Sequence, residues 1–177
     1  MLLWIQCGAN DGVPQKYVDD CEKVLDELMK ENDLIFGACN HGIMGCAYRS
    51  ALKNKRIIIG SSPKVYEGEY VEVKCDEEIT TDGIIESTVV MLDRCDAAVV
   101  MPGGLGTLYE FFLMMQGAIC HEQKKKIVIY NSCGFYDELL DYLGKLLKEG
   151  FVEKKHLAYF KVARDSKELK KMLSEPF

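Results

Sequence analysis

No stretch of this sequence stays apolar over the ~20 residues that a bilayer-crossing helix needs. The apolar start at residues 1–5 has no basic lead and is too short for a secretion signal, so no membrane partner and a cytoplasmic location are expected. Positive charge is also scarce: 22 Lys and Arg face 28 Asp and Glu, a net charge of −6. Nucleic-acid-binding domains are usually basic, so a nucleic-acid partner is not expected. Eight cysteines are present, but no two have the C-x-x-C spacing of a zinc or redox site. They are expected to be reduced thiols, most of them acting as small hydrophobes. No His, Cys or carboxylate cluster has metal-ligand spacing, and no metal or other cofactor is expected. The dinucleotide fingerprint G-x-G-x-x-G does not follow the first apolar run, and the P-loop G-x-x-x-x-G-K-[ST] is missing. NAD dehydrogenases and P-loop NTPases are therefore disfavoured. Without linkers, repeats or low-complexity segments, residues 1–177 read as one domain.

What is present alternates. Short apolar runs at residues 2–7, 34–38, 56–60, 96–101 and 127–131 read as strands, and 159–163 as a last one. Between them lie amphipathic stretches, predicting helices near 14–30, 44–54, 83–94, 111–119, 135–148 and 166–174. Residues 61–82 read as polar and irregular, with room for a short strand at 70–73. Apolar strands alternating with helices imply an α/β domain: a Rossmann-like, doubly wound parallel sheet with helices on both faces. Ligands of such sheets sit beyond the carboxyl ends of the strands, where the strand order switches. Three glycine-bearing loops leave strand ends here, at Gly8–Gly12, around Gly42, and at Gly103–Gly106.

The third loop is the most informative. Met101-Pro102-Gly103-Gly104-Leu105-Gly106-Thr107-Leu108-Tyr109-Glu110 lies between an apolar strand and an amphipathic helix. Three glycines in four residues let backbone approach a ligand closely. Thr107 adds a hydroxyl near a helix start, where unpaired N–H groups favour an anion such as phosphate. Glu110, about one turn on, sets a carboxylate over whatever the loop holds. Taken alone it could equally be a helix-start carboxylate that complements the dipole. His41 lies in the second glycine turn and reads either as a ligand contact or as a loop histidine with no role, whereas His121 and His156 read as surface residues.

Pro102 to Glu110 matches the PGGxGTxxE motif of the Lonely Guy family, also called lysine decarboxylase-like proteins. Asn40-His41-Gly42-Ile43-Met44-Gly45 resembles that family's second glycine turn, which ends in G-[LI]-M-G, and Cys7-Gly8-Ala9-Asn10 resembles its C-G-S-S loop without the serines. The similarity spans about residues 2–132. It implies a Rossmann-like fold, a homodimer, and hydrolysis of the N-glycosidic bond of a cytokinin riboside 5′-monophosphate to base and ribose 5-phosphate. It further implies that Glu110 stabilises the positive charge that builds on the ribose or activates water, and that Gly103, Gly104, Gly106 and Thr107 hold the 5′-phosphate, with Gly8, Gly42, Met44 and Gly45 beside them. The decarboxylase name has no lysine in a pyridoxal-phosphate context to support it.

One departure stands out. The family carries a catalytic arginine in an R-K-x-x-M pattern; Met91 matches its methionine, but Ser87 and Thr88 occupy the arginine and lysine positions. A hydroxyl does not replace a delocalised cation with five donors. Glu86 and Asp82 would add an acidic pair if the helix began that early. Three readings stay open: Arg49 or one of Lys124–Lys126 substitutes, the substrate is a different phosphorylated molecule, or the ligand is bound without turnover. The last is the behaviour of the related molybdenum cofactor carrier proteins.

Overall fold

The computed structural model describes residues 1–66 and 73–175. Among these residues seven strands form one fully parallel sheet: β1 (Leu2–Gln6), β2 (Asp33–Phe36), β3 (Ile58–Pro63), β4 (Glu77–Thr81), β5 (Ala97–Val100), β6 (Lys126–Tyr130) and β7 (Lys161–Ala163). Their order is β4-β3-β2-β1-β5-β6-β7. Because β1 pairs with both β2 and β5, the chain winds outward one way from β1 and then the other. The switch in strand order lies between β1 and β5, and the expected doubly wound α/β sheet is what the chain forms.

Among the described residues seven helices cover the sheet: α1 (Gln15–Leu28), α2 (Gly42–Lys53), α3 (Ile84–Arg94), α4 (Leu105–Ile119), α5 (Asp137–Lys148), α6 (Lys154–Leu157) and α7 (Ser166–Ser174). Alternation along β1 sets the two cores, since successive side chains in a strand point to opposite faces. Leu3, Ile5 and Cys7 join Cys21, Val24 and Leu25 of α1, Cys46 and Ala47 of α2, and Leu169 of α7. Trp4 joins Met91 of α3, Phe111 and Met114 of α4, and Tyr136. All eight cysteines are free thiols, six of them buried or partly buried. Among the described residues no helix is long and apolar enough to cross a membrane.

The stretch expected to be irregular is partly ordered. β3 runs on to Pro63, a turn of 3-10 helix covers Lys64–Tyr66, and β4 follows. The short strand expected at 70–73 falls almost wholly outside the described residues. β4 escapes an apolar-run criterion because it reads Glu-Glu-Ile-Thr-Thr: as an edge strand it has little to bury. α3 starts at Ile84, so Asp82 lies before it and the expected acidic helix pair does not form. Instead the Glu86 carboxylate accepts the Asp82 N–H at 2.8 Å, and Asp82 pairs with Lys64 at 2.6 Å.

Candidate active site

Beyond the carboxyl ends of the central strands lies a cleft of about 710 Å³. The β1–α1 loop contributes Cys7 to Asp11, the β2–α2 turn contributes Cys39 and His41, and Met44 follows on α2. Ser61, Pro63 and Tyr66 come from β3 and the turn after it, and Ile84, Ser87 and Met91 from α3. Gly104, Gly106, Thr107 and Glu110 close it from the start of α4. All three glycine loops thus converge on one space at the strand-order switch.

The motif glycines divide into two kinds. A Cβ on Gly103 would collide with Thr107 Oγ1 and meet the Gly8 N at 2.8 Å, so Gly103 is required for the loop to close against its own helix and against the loop after β1. The Gly8 N–H also donates to the Pro102 carbonyl at 3.0 Å, fastening the first loop to the third. Gly104 and Gly106 have nothing within 4 Å of a Cβ, and both line the cleft. Gly104 precedes the first turn of α4 without a side-chain cap, leaving that turn's N–H groups for a ligand. With the dipole of a 15-residue helix behind them, they suit a phosphate.

The second glycine turn is built differently. Gly42 has φ +55°, and a Cβ there would meet the Asn10 backbone at 2.8 Å. Its N–H donates to Asp11 Oδ1 at 2.7 Å, and the Met44 N–H donates to the Gly8 carbonyl at 3.1 Å. A Cβ on Gly45 would meet the Asn40 carbonyl at 2.7 Å. Gly42 and Gly45 therefore pack the α2 start against neighbouring backbone; neither lines the cleft, whereas Gly8 and Met44 do. Asp11 was not singled out from the sequence. Its second oxygen lies 2.6 Å from His41 Nδ1. The Gly42 N–H and His41 together hold the Asp11 carboxyl below its ordinary range.

Ser87 is the residue that the resemblance sets at the family's arginine position. It is 1% exposed, and its hydroxyl is 2.9 Å from that of Ser61. The cleft lining contains no Lys or Arg among the described residues, and residues 67–72 have none in sequence. Of the cations considered as substitutes, Arg49, Lys125 and Lys126 are engaged elsewhere. Arg49 donates to Asn40 Oδ1 at 2.9 Å and to Cys46 Sγ at 3.4 Å. Lys125 donates to the Asp93 and Cys95 carbonyls at the end of α3, and Lys126 to the Leu173 carbonyl, at the amino edge of the sheet. Arg94 pairs with Glu77. With no cation beside it, the half-buried Glu110 carboxyl is pushed up by burial alone, to about 8. Burial likewise pushes the Cys7 thiol well up, so Cys7 is a poor nucleophile.

The model of a family described as "Possible lysine decarboxylase" matches residues 44–173. A cytokinin riboside 5′-monophosphate phosphoribohydrolase of Arabidopsis thaliana, LOG3, is 29% identical over 98% of this chain and 81% of its own. A probable enzyme of the same name from Oryza sativa subsp. japonica, LOGL9, is 30% identical over 96% of this chain and 75% of its own. The chain belongs to the Lonely Guy family. Similar solved folds include a molybdenum cofactor binding protein from Rippkaea orientalis, with TM-score 0.70, 18% identity and coverage of 97% and 94%. A Moco carrier protein from Chlamydomonas reinhardtii has TM-score 0.71, 17% identity and coverage of 98% and 97%. At that identity the likeness concerns the fold.

Proposed function

We propose that this Lonely Guy member hydrolyses the N-glycosidic bond of a nucleoside 5′-monophosphate, releasing the base and ribose 5-phosphate. The observation that carries the reading is the placement of Glu110 and the uncapped start of α4 on one wall of a single cleft at the strand-order switch. The first-turn N–H groups with Gly104, Gly106 and Thr107 receive the phosphate. Glu110, a turn further on, then faces the ribose and the bond to the base. Relatives bearing the phosphoribohydrolase name over nearly the whole chain support the same substrate class.

This chain's chemistry departs from an arginine-assisted site. A carboxyl raised to about 8 is mostly protonated at neutral pH, and a phosphate dianion nearby raises it further. Glu110 therefore enters as an acid. It donates its proton to the departing base nitrogen, the role that raised carboxyl groups take in glycoside hydrolysis. The test is chromatography of nucleoside monophosphates, N6-modified AMP among them, incubated with the protein. Release of base and ribose 5-phosphate that vanishes in Glu110→Gln supports the proposal; release that persists in that variant removes Glu110 from it.

The cation-free cleft favours one second reading, a carrier that binds a nucleotide-like ligand or molybdenum cofactor without turnover. It predicts saturable binding with no product. By the family resemblance we also propose a homodimer. Ile85, Val89, Leu105, Tyr109 and Phe112 form an exposed apolar face on α3 and α4, with Leu105 87% exposed, and this face supports it. The free thiols fit a reducing, cytoplasmic setting.

A further inference from the structure

One buried polar atom lies unmet beside the cleft. Among the described residues, Gln6 Oε1 is the buried side-chain oxygen left without a hydrogen bond. Gln6 ends β1, is fully buried, and pairs with Val100 of β5 at the strand-order switch. Its carbonyl accepts the Met101 N–H at 2.8 Å, directly before the glycine motif. Alternation along β1 turns its side chain to the face of Trp4, against α4. There Gln6 Nε2 donates to Met114 Sδ at 3.2 Å. A thioether accepts but does not donate, so the amide nitrogen faces the sulfur and the oxygen is the end left over. Glu110 lies four residues before Met114 on α4. Residues so spaced stack on one helix face, with Cβ atoms ~5–6 Å apart. Burial is the main cause of the raised Cys7 thiol, and the Glu110 carboxylate adds to it. Glu110 thus lies near the residue that follows Gln6.

We propose that Gln6 is the positioning residue of Glu110, its amide oxygen receiving the acid's O–H in the free protein. The inference rests on the hydrolase reading above, in which Glu110 is the general acid. A neutral carboxyl has one proton to place, and Gln6 Oε1 is a buried acceptor with nothing to accept. An unmet acceptor in the interior is costly, and a hydrogen bond between the two removes that cost. Tyr136, packed in the same cluster, is not a rival donor, because its O–H goes to the Met101 carbonyl at 2.7 Å. The other titratable groups around the cleft are Cys7 and Asp11 of the β1–α1 loop, Cys39 and His41 of the β2–α2 turn, and Tyr66, with no Lys or Arg among the described residues. A hydrogen bond donated by the neutral form keeps a carboxyl protonated, so Gln6 works in the same direction as burial does at Glu110. When a nucleotide binds, the O–H turns from Gln6 to the departing base nitrogen. Gln6 therefore acts on the free protein and drops out of the complex.

The test separates the free protein from the complex, since kcat/KM reports the acid of the first and kcat that of the second. Gln6→Met fills the same space without an acceptor. With a purine nucleoside 5′-monophosphate, the basic limb of its kcat/KM profile is expected to fall by about one pH unit, the worth of one hydrogen bond. Above both limbs its kcat/KM is then ~10-fold below wild type, and well below them the two match. The limb of kcat is expected to stay in place. A merely structural role would lower the rates at every pH and would not move one limb apart from the other. Carbon-13 NMR of the side-chain carbonyls reads the same contact without turnover, with Gln6→Met and Glu110→Gln assigning the signals by their loss. In wild type the Gln6 Cδ resonance is expected to titrate with the midpoint of Glu110 Cδ, and in Gln6→Met the Glu110 midpoint is expected to fall. A wild-type Gln6 resonance that ignores the Glu110 midpoint overturns the inference, whether or not the variant folds; Gln6→Leu then assigns the signal. An unmoved kcat/KM limb in a folded variant also overturns it, and both results leave the hydrolase reading standing. Wild-type protein that shows the shared midpoint but releases no base overturns the hydrolase reading and leaves the carboxyl–amide hydrogen bond standing.

Discussion

Replacing Glu110 by glutamine is expected to stabilise the protein while removing turnover. In the folded chain the Glu110 carboxyl lies at about 8, against an ordinary value of 4.5. Between those values the unfolded chain ionises this group and the folded chain keeps it protonated. The folded state then holds more protons, so its stability falls as pH rises from about 4.5 to about 8 and levels off above. At 1.36 kcal/mol per unit, the full shift corresponds to roughly 5 kcal/mol, and the part lost by pH 7 to roughly 3. Glu110 is partly exposed on the cleft wall, which screens the effect to ~2–3 kcal/mol at pH 7. Glutamine has nearly the same shape and no charge to bury. For a domain of this length the gain is ~5–10 °C in Tm at pH 7. Thermal melts of wild type and Glu110→Gln across pH 4–9 check it, because the difference between the two curves isolates this one group. It should be near zero at pH 4 and grow up to pH 8. A difference that is flat with pH, or a variant less stable than wild type at pH 8, would refute the claim that the cleft burdens the fold with a raised carboxyl.

Other perturbations follow from the same geometry. Ser87→Arg restores the family's cation and should lower the Glu110 carboxyl by ~1–3 units, shifting the basic limb of the pH–rate profile downward; an unmoved limb would mean that Ser87 does not address Glu110. Gly103→Ala should destabilise by ~1–3 kcal/mol in chemical denaturation, because its methyl group lands on Thr107 and Gly8. Gly104→Leu should leave stability within about 0.5 kcal/mol, as nothing lies within 4 Å of its Cβ, but weaken nucleotide binding by calorimetry. Phe112→Asp should convert a dimer to a monomer in sedimentation by placing a charge on the exposed α3–α4 face.

The sequence was most legible where structure is local. The run from Ala97 through the glycine motif to Ile119 reads as strand, turn and helix because strand burial, turn glycines and helix periodicity all lie within some twenty residues. α7 was legible to the residue for the same reason, its start marked by Asp165, whose carboxylate accepts the Glu168 N–H. β4 was not, because an edge strand facing solvent carries no apolar signature. Within the site, Gly104 and Gly106 could be placed from the motif, but the packing role of Gly42 and Gly45 could not. What distinguishes them is a neighbouring loop's backbone, brought in by the fold. The Asp11–His41 pair has no sequence signal, since the two residues sit on different loops and only the sheet order makes them neighbours. Ser61 had a weaker signal: it lies near the carboxyl end of β3, where the ligand-crevice rule directs attention, but its partner Ser87 comes from another element. The engagement of Arg49 and Lys125 with protein acceptors was equally invisible in sequence, and it narrows the open readings of the missing arginine.

The central claim is that a cleft without an arginine still breaks a nucleotide's glycosidic bond. Stoichiometric protein and nucleoside 5′-monophosphate in ¹⁸O-water, followed by mass spectrometry, tests it most directly. The account predicts free base and ribose 5-phosphate carrying one ¹⁸O at the anomeric position. Nucleotide recovered intact from a saturated complex would contradict it.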